Sequence, residues 1–289
     1  MAADKNNAMP FTNIPKEYTS ALDLAGGMVQ LDAYADKPFD GMRVLVTGGG
    51  KGVGKGIALA FALRGARVAI GCNSNPDMAR DTLDLLRRHT EAELIPSDIG
   101  DPDGCDHLVD ETVRLLGGLD VVVSNAAIQT NRSMLETTRE SFERTLAVNT
   151  RAPFLLMKRA RPHLTASGAG RFIMVSSVHG KRPTNFDAAY ASSKGAMLML
   201  CREAAIAFAR DGVTVNIIAP GAVVIEGKTG DPKSFSVLRR KPIRPMTLYP
   251  LGRVGVPMDT GEAACFLASR AAGHITGTTI RVDGGSMLL

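Results

Sequence analysis

The 289-residue chain has no tryptophan, four tyrosines and ten phenylalanines, so aromatic residues make up only 5% of it. Proteins that hold single-stranded nucleic acid stack bases on aromatic rings set among basic residues, and this chain has little to build such a platform from. Its formal charge of +5 comes with no nucleic-acid-binding motif, so nucleic acid is not the expected partner. Cysteine is scarce as well: Cys72, Cys105, Cys201 and Cys265 stand far apart with no Cys-x-x-Cys pair, and the five histidines show no ligand spacing. That pattern reads as a reduced, cytoplasmic chain without a metal site. Long hydrophobic runs are missing too. None approaches the ~18 residues a membrane span needs, and Asp23 interrupts the one stretch, 21–31, that resembles a leader.

Residues 1–40 hold six acids against three bases, with scattered proline and glycine and no sustained periodicity. They are expected to form an N-terminal extension, either an arm in which 21–31 packs as a short helix or a flexible tail. From residue 41 to residue 289 the pattern is that of one catalytic domain. Apolar, β-branched runs at 43–46, 67–70, 93–96, 119–123, 171–176, 213–218 and 278–282 read as strands. Helical periodicity lies between them at 76–88, 102–116, 139–164, 189–210 and 260–269. Such alternation predicts a Rossmann-type doubly wound α/β fold, a seven-stranded parallel sheet with helices on both faces. A site in such a sheet belongs at the carboxyl ends of the strands.

The first strand runs into Thr47-Gly48-Gly49-Gly50-Lys51-Gly52-Val53-Gly54, ahead of a helical stretch at 57–63. Glycines let the backbone turn tightly and approach a diphosphate, while the helix N-terminus presents free N–H groups and the positive end of its dipole. The spacing, Gly48-x-x-x-Gly52-x-Gly54, is a variant of the commoner Gly-x-Gly-x-x-Gly. Its strand-to-helix setting makes it a candidate dinucleotide loop.

Ser177 stands thirteen positions before Tyr190-Ala-Ser-Ser-Lys194. On a helix, four residues bring Lys194 over the same face as Tyr190, and a neighbouring cation is expected to lower a phenol's pKa. Tyr190 would then exchange a proton with a carbonyl or alcohol oxygen that Ser177 also hydrogen-bonds. His179 follows Ser177 closely, but no Gly-x-Ser-x-Gly elbow surrounds the serine, so a hydrolase is disfavoured.

Together with Ser124-Asn125-Ala126-Ala127, Asn149 and Pro220-Gly221, these segments resemble the short-chain dehydrogenase/reductase family in order and spacing over 41–289. Leu251-Gly252-Arg253 and the ending from Thr276-Gly277 to Asp283-Gly284-Gly285 are similar to those of 3-oxoacyl-thioester reductases and of other branches, so a 3-oxoacyl thioester is the first expected substrate class and a cyclic, sugar or secondary-metabolite ketone the alternative. The resemblance implies Tyr190 as acid/base, Ser177 as the partner of the carbonyl oxygen, Lys194 binding the nicotinamide ribose, and Asn149 holding a relay water. It implies a nicotinamide cofactor against Gly48, Gly50, Lys51, Gly52, Val53 and Gly54. Further along the chain it adds Asp98 and Ile99 at the adenine, Asn125, Ala126 and Ala127 beside the loop, and Pro220, Gly221 and Val223 near the carboxamide. Enoyl reductases of the wider family space tyrosine and lysine further apart, so the three-residue gap implies carbonyl/alcohol chemistry. A homodimer or homotetramer through the helices bearing Lys158 and Tyr190 is also implied. Two departures stand out: no threonine follows Pro220-Gly221, where relatives use one to bind the carboxamide, and Val53 replaces the usual isoleucine.

Charge selects the cofactor. NAD sites place an acid after the second strand, whereas here the run is Gly71-Cys72-Asn73-Ser74. Lys51 offers a cation to a 2′-phosphate and Asn73 and Ser74 add neutral donors, so NADP(H) is expected over NAD(H). The substrate lid, at about 222–250, holds Lys228, Lys233, Arg239, Arg240, Lys241 and Arg244 against Glu226 and Asp231. A lid of that charge would favour an anionic or carrier-linked carbonyl or alcohol; a solvated face explains it equally well. A catalytically silent dinucleotide-binding homologue is disfavoured because every catalytic position is filled.

Overall fold

The computed structural model describes residues 37–74, 76–184, 187–225 and 249–288. Most of the expected N-terminal extension and the whole basic run from Lys228 to Arg244 lie outside the described residues. Phe39, within the expected extension, is buried with its ring 5.6 Å from that of Phe61.

Seven strands form one parallel sheet: β1 Arg43–Thr47, β2 Arg67–Cys72, β3 Ala92–Pro96, β4 Val121–Ser124, β5 Arg171–Val175, β6 Thr214–Pro220 and β7 Thr279–Val282, in the order β3-β2-β1-β4-β5-β6-β7. β4, β5 and β6 are buried along their whole length, as strands covered on both faces must be. Side chains alternate between two cores with the period of two that a strand imposes. Leu45, Val122, Phe172 and Ile217 point into one core. Val46, Val123, Ile173 and Ile218 point into the other.

Among the described residues, seven helices and a π turn flank the sheet: α1 Gly52–Leu63, α2 Pro76–Arg87, α3 Pro102–Leu116, α4 Arg139–Leu146, the turn Ala147–Arg151, α5 Ala152–Ala166, α6 Ala188–Phe208 and α7 Pro257–Ala268. α1, α2 and α7 pack on one face, and α3, α5 and α6 on the other. Local signals set several ends. Asp101 caps α3 by accepting from the Asp103 amide, Pro102 occupies its first turn, and Gly117 ends it in the left-handed conformation. Phe172 is fully buried, and truncating such a ring to alanine costs about 3–5 kcal/mol.

The single helix expected over 139–164 is interrupted. One extra residue enters its hydrogen-bond ladder at Ala147–Arg151, a π turn, which is a distortion common at functional sites. The chain reverses its direction of winding between β1 and β4, which pair directly. The loops after those two strands therefore diverge and open a crevice.

Candidate active site

The crevice is a cleft of about 930 Å³ that brings together the glycine loop, the ends of β2 to β6 and the helix α6. Thr47, the last residue of β1, ties the two diverging loops together. Its hydroxyl accepts from the backbone amides of Asn125 (3.0 Å) and Ala126 (2.9 Å), and the Asn125 side-chain amide donates to the Thr47 carbonyl at 2.9 Å. Gly48 has φ +63°, and a Cβ there would stand 2.9 Å from the Ala126 backbone, so only glycine suits the turn. A Cβ at Gly54 would overlap the Gly48 carbonyl, so the first turn of α1 has to lie directly on the loop. Lys51 occupies the N-cap in an extended conformation without a side-chain capping bond. The first amides of α1 are thus left without a side-chain acceptor from their own cap, in a backbone cradle that fits a diphosphate.

At one side of the cleft the ends of β2 and β3 meet. Asn73 and Ser74 are exposed and, with Lys51, line the cleft. Lys51 is near enough for its charge to act on the Cys72 thiol, although burial dominates there and pushes that thiol up. Asp98 lies next to the buried Ile99 and is gripped by Arg144, whose terminal nitrogen sits 2.7 Å from both carboxylate oxygens. Burial opposes ionisation of Asp98, but Arg144, the Gly100 amide and Asn73 outweigh it and hold the carboxyl below its usual range.

The catalytic candidates meet at the far end. Ser177 follows β5 and caps a short turn by accepting from the His179 amide at 3.2 Å. Tyr190 and Lys194 lie one turn apart on α6, and Ser177 hydrogen-bonds the phenol. The expected lowering of the Tyr190 pKa by Lys194 is corrected here. The ammonium nitrogen lies over the ring, 5.5 Å from its centroid, and donates to the Val175 carbonyl at 2.8 Å. Burial therefore governs both groups. It raises the Tyr190 phenol, with the Ser177 hydrogen bond opposing and the Asp187 charge adding to the rise. It pushes Lys194 down to about 7.

Asn149 sits in the π turn, and its side chain is committed to the protein. It accepts from the Ile128 amide (2.8 Å) and donates to the Ile128 carbonyl (2.9 Å) and to Ser193 (3.0 Å). A relay water at this position would rest on backbone carbonyls that the π turn releases from regular pairing. Pro220, Gly221 and Val223 line the cleft from the end of β6. Val223 forms a parallel bridge to Gly255 that uses the Val224 amide and the Ala222 carbonyl.

Sequence reasoning named Gly48, Gly50, Lys51, Gly52, Val53, Gly54, Asn73, Ser74, Asp98, Ile99, Asn125, Ala126, Ala127, Ser177, Tyr190, Lys194, Pro220, Gly221 and Val223, which line one cleft, and Asn149, which is not among its lining residues. It missed the roles of Thr47, Arg144 and Asp187. Thr47 lies inside the motif already singled out, and an aspartate three residues before Tyr190 at a helix start is an N-cap signal. Arg144 has no local signal, because its partner is 46 residues away.

Comparison with known proteins agrees with this fold. Residues 48–287 match a family model described as enoyl-(acyl carrier protein) reductase. Versicolorin reductase stcU of Emericella nidulans is 35% identical over 261 residues, covering 86% of this chain and 96% of that protein. Tetrahydroxynaphthalene reductase of Pyricularia oryzae is 30% identical over 258 residues, covering 86% and 90%. The crystal structure of a short-chain dehydrogenase from Burkholderia cenocepacia J2315 in complex with NADP superposes with a TM-score of 0.76 at 28% identity, covering 86% of this chain and 99% of that one. Fold and site define an oxidoreductase of the dinucleotide-binding type. The chain belongs to the short-chain dehydrogenase/reductase family.

Proposed function

We propose that the protein is an NADP(H)-dependent reductase of a ketone, acting on the matching secondary alcohol in the reverse direction. The observation that carries this reading is the convergence of Ser177, Tyr190 and Lys194 on one cleft with an uncapped glycine-loop helix. The cofactor would bind against Gly48 to Gly54, Asp98 and Asn125 and, when bound, supplies the hydride. Tyr190, kept protonated by burial, gives its proton to the carbonyl oxygen, and Ser177 steadies that oxygen as it gains charge. Lys194 holds its place through the Val175 carbonyl, from which it would bind the nicotinamide ribose.

Support for NADP(H) over NAD(H) is chemical. The end of β2 offers Asn73 and Ser74 rather than a carboxylate, and Lys51 stands beside it; a solved relative was crystallised with NADP. For the substrate, a cyclic, hydroxylated ketone is favoured by the two relatives named for versicolorin and tetrahydroxynaphthalene. A 3-oxoacyl thioester is the second reading, favoured by the carrier protein in the family-model description. Exposed Phe154 on α5 and Met199 and Ile206 on α6 support a homodimer or homotetramer through those helices. The free cysteines are consistent with the cytoplasm.

The test is oxidation of NADPH and of NADH, side by side, against 2-tetralone, menadione, diacetyl, acetoacetyl thioesters and keto-sugars, with Tyr190→Phe as control. Turnover with NADPH that disappears in the variant supports the reading and selects the substrate class. Tight NADPH binding with no turnover of any carbonyl would replace it with a catalytically silent homologue.

A further inference from the structure

The turn after β4 forms one wall of the cleft, where Ile128 and Gln129 line the same cavity as Ser177 and Tyr190. Two buried side chains hold it. Asn149 takes both backbone groups of Ile128 at its base. Asp187, only 1% exposed, takes its tip. One carboxylate oxygen of Asp187 accepts from the amides of Thr130 (2.6 Å) and Asn131 (2.8 Å) and from the Thr130 hydroxyl (3.1 Å). The other accepts from the Tyr190 amide at 3.0 Å and so caps α6. Asn131 has φ +54°, a left-handed conformation that asparagine tolerates better than most residues. There two consecutive amides converge on a single oxygen, as in an anion-binding nest. Thr184 fixes the carboxylate's own backbone, accepting from the Asp187 amide at 2.9 Å.

We propose that Asp187 is a positioning residue that locks the 128–131 wall of the substrate cleft to the N-terminus of the catalytic helix, so that the wall and Tyr190 keep one fixed spacing around the carbonyl. The inference rests on the reading of this cleft as a carbonyl-reducing site. A carboxylate suits the task because it only accepts and has two oxygens, one for each element. Asparagine in its place would set an NH₂ against N–H donors on one side. Serine would still cap the helix, but its shorter side chain would not span to Thr130 and Asn131.

These two substitutions make the test. Hydrogen–deuterium exchange of the full-length protein, urea midpoints, NADPH titration by fluorescence, and reduction kinetics with the best carbonyl of the panel above are measured for wild type, Asp187→Ser and Asp187→Asn. In Asp187→Ser the Thr130 and Asn131 amides should exchange about tenfold faster or more. The first turn of α6 and the NADPH Kd should change less than about twofold, because the cap and the cofactor cradle are intact. With a free-moving wall, kcat/KM for the carbonyl falls by about tenfold or more while KM for NADPH stays put. Asp187→Asn should lie between, since one oxygen still reaches one of the two elements. Unchanged exchange at 130–131 would overturn the proposal, and so would faster exchange there with unchanged carbonyl kinetics. A loss of α6 protection, urea midpoint and NADPH affinity in step would reduce Asp187 to a stability role and likewise overturn it. If wild type reduces no carbonyl, the proposed reaction fails; the exchange measurement then still decides whether Asp187 joins wall to helix.

Discussion

Lys194 is fully enclosed and donates to the Val175 carbonyl, yet its pKa is pushed from the ordinary 10.5 to about 7 by burial. A depressed lysine pKa means that the unfolded chain holds the proton more tightly than the folded one. Between about pH 7 and 10.5 the unfolded state therefore binds more protons, and stability rises with pH by up to about 1.4 kcal/mol per unit. Below about pH 7 both states are protonated and the full cost applies, a difference of about 3.5 units or about 5 kcal/mol. Lys194→Met keeps the volume and removes the titration. It also leaves the Val175 carbonyl without its donor, which costs about 1–3 kcal/mol. At pH 6 the variant should thus be more stable than wild type by about 2–4 kcal/mol, the difference of those two terms. The advantage should shrink by about 3 kcal/mol between pH 7 and pH 9.5, and this change is independent of the packing term. Urea unfolding across that range, at one fixed protein concentration because oligomers couple stability to concentration, measures it. Parallel pH profiles for wild type and Lys194→Met would refute the reasoning, since they would mean that the buried ammonium costs nothing. A stabilised variant that no longer reduces carbonyls would mark Lys194 as a residue kept for chemistry at the expense of the fold.

Two further perturbations separate the parts of the site. Arg144→Leu removes the grip on Asp98; KM for NADPH should rise about tenfold or more with little change in kcat, because hydrogen bonds to a charged group at the adenine end stabilise substrate and transition state alike. A fall in kcat with unchanged KM would contradict that assignment. Lys51→Glu sets a negative charge beside Asn73 and Ser74, and the ratio of kcat/KM for NADPH to that for NADH should fall at least about tenfold. An unchanged ratio would remove Lys51 from the 2′-phosphate site.

The sheet was legible because its signal is local and repeated. Apolar runs such as Val44–Val46 and Phe172–Val175 have no outward polar face, and that property alone calls for parallel strands covered on both sides. The expected strands match the observed ones to within about two residues, as is usual for boundaries. The π turn at Ala147–Arg151 was not legible, because nothing in Ala-Val-Asn-Thr-Arg breaks helical periodicity. It depends on Asn149 reaching Ile128 and Ser193, contacts made only once β4 and α6 are in place. Pairs distant in sequence, Asp98 with Arg144 and Asp187 with Thr130, were hidden for the same reason. Residues of one motif were visible; residues that hold two motifs together were not.

The pKa of Tyr190 is the point at which spacing misled and geometry corrects it, and it bears on the direction of catalysis. Tyr-x-x-x-Lys predicts a phenol made more acidic by its neighbour. In the folded protein, burial is the largest influence, the Ser177 hydrogen bond opposes it, and Asp187 adds a further rise, so the phenol stays above its ordinary value of 10.0. Such a phenol is protonated throughout the neutral range, ready to act as the acid in ketone reduction and a poor base for alcohol oxidation. The kcat for reduction should therefore be level from neutral pH upward and decline only in strongly alkaline solution. The kcat for oxidation should climb over the same interval as the phenolate form grows. Both profiles are read from single-turnover absorbance of the nicotinamide in buffers of constant ionic strength. A reduction rate that falls with a midpoint well under 10.0 would show that a cation, and not burial, governs Tyr190 in the working complex.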